Sequence, residues 1–152
     1  MSVGGEPGHL HPVPTQRNGY RYFFYDKHNG RGGPEAAQWA LDLSEDEEFG
    51  IFDQADALEL SDERGNLYGI RLGLEPERRV LALGTLRQQV AKFPRAHVGQ
   101  EWHGFPFGPI DRNLAPPHPP NRPLPKDALQ KMVDARLLTG AERKRLLKGR
   151  FL

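Results

Sequence analysis

The chain has 152 residues, 37% of them apolar, with a mean hydropathy of −0.68 and a formal net charge of +1, enough for one domain that buries roughly two-thirds of its unfolded surface. It contains no cysteine, which excludes a disulfide framework, a thiolate metal site and a cysteine nucleophile. Its first residues form no basic and apolar leader, and no run reaches the length of a membrane span, so the chain reads as cytoplasmic with no membrane partner.

Residues 1–19 hold four Gly and three Pro with little to bury and read as a flexible arm. The aromatic run Tyr20, Tyr22, Phe23, Phe24 and Tyr25 predicts a strand buried on both faces. After the Asn29–Pro34 turn cluster, Trp39, Leu41 and Leu43 alternate with Ala40 and Asp42, a second strand pattern placed to pair with the first as a hairpin. Ser44-Glu45-Asp46-Glu47 has the form of a capping box, but Gly50 limits the predicted helix to a short one. Leu58 and Leu60, the Asp62–Asn66 turn, then Leu67, Tyr68, Ile70 and Leu72 predict a hairpin, with a further strand over 79–83. Thr85-Leu86-Arg87-Gln88 repeats the capping pattern and predicts an amphipathic helix carrying Leu86, Val90 and Phe93, ended by Pro94.

From Pro94 to Pro125 there are nine prolines, which predicts a strap draped over the core with no regular sheet. Asp127 is placed to cap a helix running to Arg136, with Leu129, Met132 and Val133 inward, and Thr139 to cap a second with Leu146 and Leu147. The expected fold is α+β: a small, mainly antiparallel sheet with one packed helix. Its organisation is a flexible arm at 1–19, a core at 20–125 whose strap is 94–125, and a basic two-helix tail at 126–152.

Charge is strongly segregated. Ten acidic residues and no Lys or Arg lie between Asp42 and Glu63, whereas eight Lys and Arg against three acids fill 126–152. The acidic stretch lacks the alternation of a calcium loop. Interleaved with apolar residues, it suits a protein interface in which Asp46, Glu47, Glu48, Phe49, Phe52 and Trp102 meet a basic partner. The tail places Arg143, Lys144, Arg145, Lys148 and Arg150 for nucleic-acid phosphates, while its leading turn, Gly140–Arg143, disfavours base readout. A third constellation, His97, Glu101 and His103, with Asp111 and His118 nearby, is the candidate for a metal-assisted or general acid/base hydrolase. The His97-to-His103 spacing fits no helix or strand that points both imidazoles one way, no H-E-x-x-H, G-x-S-x-G or H-x-E…C-x-x-C pattern occurs, and Trp102, Phe105 and Phe107 around it serve as anchors for the strap. No cofactor is called for, and no glycine pair is placed for a phosphate loop.

The segments Asn18-Gly19-Tyr20-Arg21-Tyr22-Phe23-Phe24-Tyr25 and Glu35-Ala36-Ala37-Gln38-Trp39-Ala40-Leu41-Asp42 resemble short bacterial domains of unknown function found in toxin–antitoxin-like gene pairs. The resemblance covers about 25 residues. It transfers no functional residue; the acidic block and the lack of a catalytic motif are what point to a small interaction protein of immunity or antitoxin type. An interaction module is the first expectation, a phosphate-binding nucleic-acid protein the second, and a His-centred hydrolase the third.

Overall fold

The computed structural model describes residues 7–12, 20–28, 37–98, 100–114 and 123–152. The fold is α+β, with three small antiparallel sheets and three α-helices among the described residues. In the largest sheet, β6 (Val90–Phe93) lies between β3 (Leu67–Gly69) and β7 (Phe105–Phe107). Registers Leu67↔Phe93 and Val90↔Phe107 set its pairing. β1 (Gly8–Leu10) pairs with β2 (Phe23–Tyr25), and β4 (Arg71–Leu72) with β5 (Val80–Leu81).

Several expectations change. Gly8 to Leu10, expected within a flexible arm, are the partner of the aromatic strand, so that strand forms no hairpin with 39–43. Trp39 instead makes a single bridge to Gly84, its N–H donates to the His28 carbonyl, and Ala40 donates to Leu83. The Leu43-to-Ala40 turn then leads straight into a helix, leaving no length for a ladder. The 58–72 hairpin is reduced to a Ser61↔Leu67 bridge and a Tyr68-to-Leu60 hydrogen bond. Leu58 ends the preceding helix, and β3 takes β6 as its partner. The Asn29–Pro34 turn lies outside the described residues.

The first helix, α1 (Glu45–Ala57), runs straight through Gly50 for 13 residues. A helical glycine costs about 1 kcal/mol. That cost is offset by the Ser44/Glu47 capping box, the three exposed acids Glu45, Asp46 and Glu47 in the first turn, and a face that buries Ile51, Phe52 and Ala55. The helix expected after Thr85 is absent. Gln88 turns its side chain back to accept from the Leu86 N–H, Arg87 adopts φ 66, and the chain enters β6. Val90 and Phe93 are fully buried as expected, but in the central strand, where Ala91 is buried too.

The strap contributes β7, contrary to a reading without regular sheet. Pro106 is accommodated because β7 is an edge strand, where a missing N–H need not break the ladder. The tail helices are α2 (Lys126–Asp134) and α3 (Gly140–Leu147). Pro125 rather than Asp127 is the N-cap of α2, and Asp127 lies within its first turn; Thr139 and Glu142 form a complete capping box on α3. The tail is part of the core: Ala128, Leu129, Met132, Leu137, Leu138 and Leu146 pack in one buried cluster with Phe52, Phe93 and Trp102.

Candidate functional site

The capping box fixes the phase of α1 and so decides which of its acids face outward. Glu48 shares a face with Ile51, Phe52 and Ala55, and it is only 2% exposed. There the Tyr22 hydroxyl donates to Glu48 Oε2 at 2.7 Å. Burial pushes the Glu48 carboxyl up to about 8, the negative charge of Glu45 adds to this, and the Tyr22 hydrogen bond opposes it. The buried Tyr22 hydroxyl is likewise held well above its ordinary value by burial and by Glu48. Around this pair, Tyr22 meets Phe24, Phe49, Phe52 and Phe93 at ring distances of 4.9–6.1 Å.

The expected acidic contact set therefore divides. Glu48, Phe52 and Trp102 are core residues, and Phe49 is half-buried beneath the His11 ring, stacked at 3.7 Å. Glu45, Asp46 and Glu47 remain exposed. Glu45 meets His9 Nε2 at 2.8 Å, and Glu47 and Asp42 both meet the Arg71 guanidinium, at 3.1 and 3.3 Å. Asp46 has no hydrogen bond or ion pair among the described residues. Leu41, immediately before Asp42, is 95% exposed, more than any other large apolar side chain described.

The basic candidates divide too. Arg143 donates to the Lys126 carbonyl and Arg145 twice to the Phe151 carbonyl. Lys144, Lys148 and Arg150 are exposed and make no described side-chain contact.

In the third constellation, His103 packs edge-on against Tyr25 at 4.9 Å and lies 6.5 Å from the Phe105 ring. His97 is exposed on a turn closed by the Gln100 N–H, Glu101 is half-exposed, and His118 lies outside the described residues. Among the described residues no three His, Asp or Glu side chains are close enough to hold a metal ion. None of their helices is long and apolar enough to cross a membrane.

Sequence reasoning missed a cavity of about 350 Å³ formed by Tyr20, Asp56, Glu59, Ser61, Arg95 and Trp102 with their neighbours. Its walls come from four separate stretches of chain, so no local motif announces it. Compared with protein-family models, with curated proteins and with solved structures, the chain finds no match.

Proposed function

We propose that the chain is a small protein-interaction module of immunity or antitoxin type, which docks a basic protein partner on the rim formed by Leu41, Asp42 and the first turn of α1. The observation that carries this reading is an almost fully exposed Leu41, five residues before Asp46, an exposed carboxylate with no described partner. An apolar contact ringed by like charges suits a partner surface of opposite sign, where the charges steer and the apolar group holds. The contact set is Leu41, Asp46 and the outward edge of Glu47, whereas Glu48, Phe52 and Trp102 are buried.

The test is affinity chromatography on the immobilised chain, followed by calorimetry with the purified partner. Leu41→Ser and Asp46→Lys alter side chains without described contacts and should leave folding intact. Each should weaken binding by tenfold or more, with a steep salt dependence reduced in Asp46→Lys. Unchanged affinity in both would overturn the proposal. A second reading draws on Lys144, Lys148 and Arg150, three exposed cations near one helix end. It expects weak, salt-sensitive binding to mixed-sequence DNA or RNA, abolished when all three are replaced by Gln.

A further inference from the structure

The strand β1 fastens two elements across the buried Tyr22–Glu48 pair yet buries nothing of its own. None of residues 7–12 is buried, whereas all three residues of β2 are. On the β2 side β1 is held by backbone: the His11 N–H donates to the Tyr22 carbonyl at 2.7 Å, and the Asp26 N–H to the Pro7 carbonyl at 3.1 Å. On the helix side it is held by two side chains. His9 and His11 are two apart on a strand and so share a face, from which His9 meets Glu45 and His11 stacks on Phe49. Glu45 and Phe49 are four apart on α1, about one turn, so the two spacings match. Glu45 precedes Glu48 by three residues and Phe49 follows it by one, which puts both contacts on one flank of Glu48, about 60° and 100° around the helix. Along that flank β1 closes the seam between Tyr22 and α1.

The groups around the pair decide how it responds to loss of a proton. Glu48 meets the Tyr22 hydroxyl from the β2 side and the charge of Glu45 from its own helix. Behind Tyr22 the neighbours are uncharged: the Phe93 ring of β6 lies 6.1 Å away, and a Cβ at Gly104 would stand 3.0 Å from the hydroxyl. Glu47 is turned to Arg71, and β1 brings His11 on Phe49 and His9 on Glu45, a contact that is an ion pair only while the imidazole is protonated. No described Lys, Arg or His forms an ion pair with Glu48. A carboxylate there would thus face a like charge and no described cation, at a position 2% exposed.

Two movements could bring water to that carboxylate. Swinging α1 away would expose Ile51, Phe52 and Ala55, which are packed in the core. Lifting β1 breaks a three-residue ladder, one ring stack and an ion pair whose side chains are about half exposed. Segments with few buried contacts open at the lowest free energy, so β1 is the element that yields. We propose that β1 is a proton-gated flap, docked on β2 and α1 while Glu48 is neutral and lifted from both when Glu48 ionises. Burial raises the Glu48 carboxyl to about 8 in the docked form, and hydration after lifting returns it towards 4.5. Docking is therefore favoured below 4.5 and progressively lost as pH rises towards 8. Deprotonation of His9 weakens the Glu45 contact in the same direction. Between pH 6 and pH 9 the equilibrium constant for lifting should rise on the order of 100-fold. Lifting uncovers the Phe49 ring and the backbone edge of β2.

Amide hydrogen exchange of the full chain from pH 6 to pH 9, each rate divided by its intrinsic rate at that pH, reads lifting at the His11 and Asp26 N–H groups and global unfolding at the β6 amides. In the wild type, His11 and Asp26 should lose protection on the order of 100-fold across this range and stay at least tenfold less protected than β6 throughout. In Glu48→Gln the same two amides should change less than tenfold, the remainder coming from the exposed His9–Glu45 pair. Glu48→Met, which also removes the charge, takes its place should that variant fail to fold. If His11 and Asp26 exchange no faster than β6, β1 leaves only with the whole fold and the flap does not exist. Protection that is flat with pH in the wild type, or a wild-type pH dependence in the uncharged variant, overturns the proposal as well.

Discussion

Replacing Glu48 by Gln should flatten the alkaline side of the protein's stability curve. A carboxyl whose folded-state value is raised binds its proton more tightly when folded than when unfolded. Its contribution to stability is therefore complete below the ordinary value of 4.5 and is lost as pH rises towards the folded value of about 8. At about 1.4 kcal/mol per pH unit, that interval corresponds to roughly 5 kcal/mol, a large part of the 5–15 kcal/mol typical of a domain. Glutamine keeps an oxygen to accept from Tyr22 and carries no charge to bury. The two proteins should have similar unfolding free energies near pH 4.5, and Glu48→Gln should become the more stable by several kcal/mol at pH 9. Urea unfolding followed by tryptophan fluorescence at intervals from pH 4.5 to 9 measures the difference, in which other titrating groups cancel. A difference that stays constant with pH, or a variant less stable than wild type at pH 9, would refute the reasoning.

Asp62 accepts from the Arg64 and Asn66 N–H groups, the Asn66 amide and the Tyr68 hydroxyl at 2.9–3.1 Å. Burial raises its carboxyl, but these hydrogen bonds outweigh burial and hold it below 3.8. Asp62→Ala should cost about 1–3 kcal/mol at pH 7, and the wild-type advantage should vanish as pH falls through the folded value, read in acid unfolding followed by circular dichroism. Thr139→Ala removes the α3 capping hydroxyl and should cost about 1 kcal/mol by urea unfolding. Two glycines predict opposite signs. Gly50→Ala adds a methyl to open space in a helix and should stabilise by about 0.5–1 kcal/mol. Gly104→Ala drives a methyl into the Phe93 ring and should cost about 1–3 kcal/mol, measured as a fall in Tm.

What was legible in the sequence was local chemistry. The boxes at Ser44/Glu47 and Thr139/Glu142 specify helix starts within four residues, and both are present. The same pattern at Thr85/Gln88 misleads because it precedes a strand buried on both faces. The three-residue spacing of Val90 and Phe93 imitates a helical stripe, and no period-2 alternation survives to mark the strand. The β1–β2 pairing joins segments on either side of residues 13–19 and leaves no local trace. The inward acid was readable in principle: in the run 45–48 only Glu48 stands three, four and seven residues before Ile51, Phe52 and Ala55. Reading the run as one acidic surface hid that phase. Trp102 and Phe52 were likewise legible as large aromatics, but composition does not distinguish an anchor within the core from one offered to a partner.

The charge segregation also changes meaning once contacts are placed. Asp42 and Glu47 are drawn to Arg71, Glu45 to His9, Glu48 is buried, and Asp62 is surrounded by donors, so half of the ten-acid block is already drawn into local contacts. These contacts run to residues outside the basic tail, whose Arg143 and Arg145 are occupied by backbone carbonyls. Under the proposed docking, steering and holding therefore fall to different side chains. A rim charge acts mainly on encounter, and an apolar contact desolvated in the complex acts mainly on dissociation. Asp46→Lys should lower the association rate and reduce its dependence on ionic strength while changing the dissociation rate little. Leu41→Ser should raise the dissociation rate tenfold or more at an almost unchanged association rate. Surface plasmon resonance at two salt concentrations separates the two. If both substitutions acted on the same rate constant, this division of labour between Leu41 and Asp46 would be wrong, even if each weakened binding.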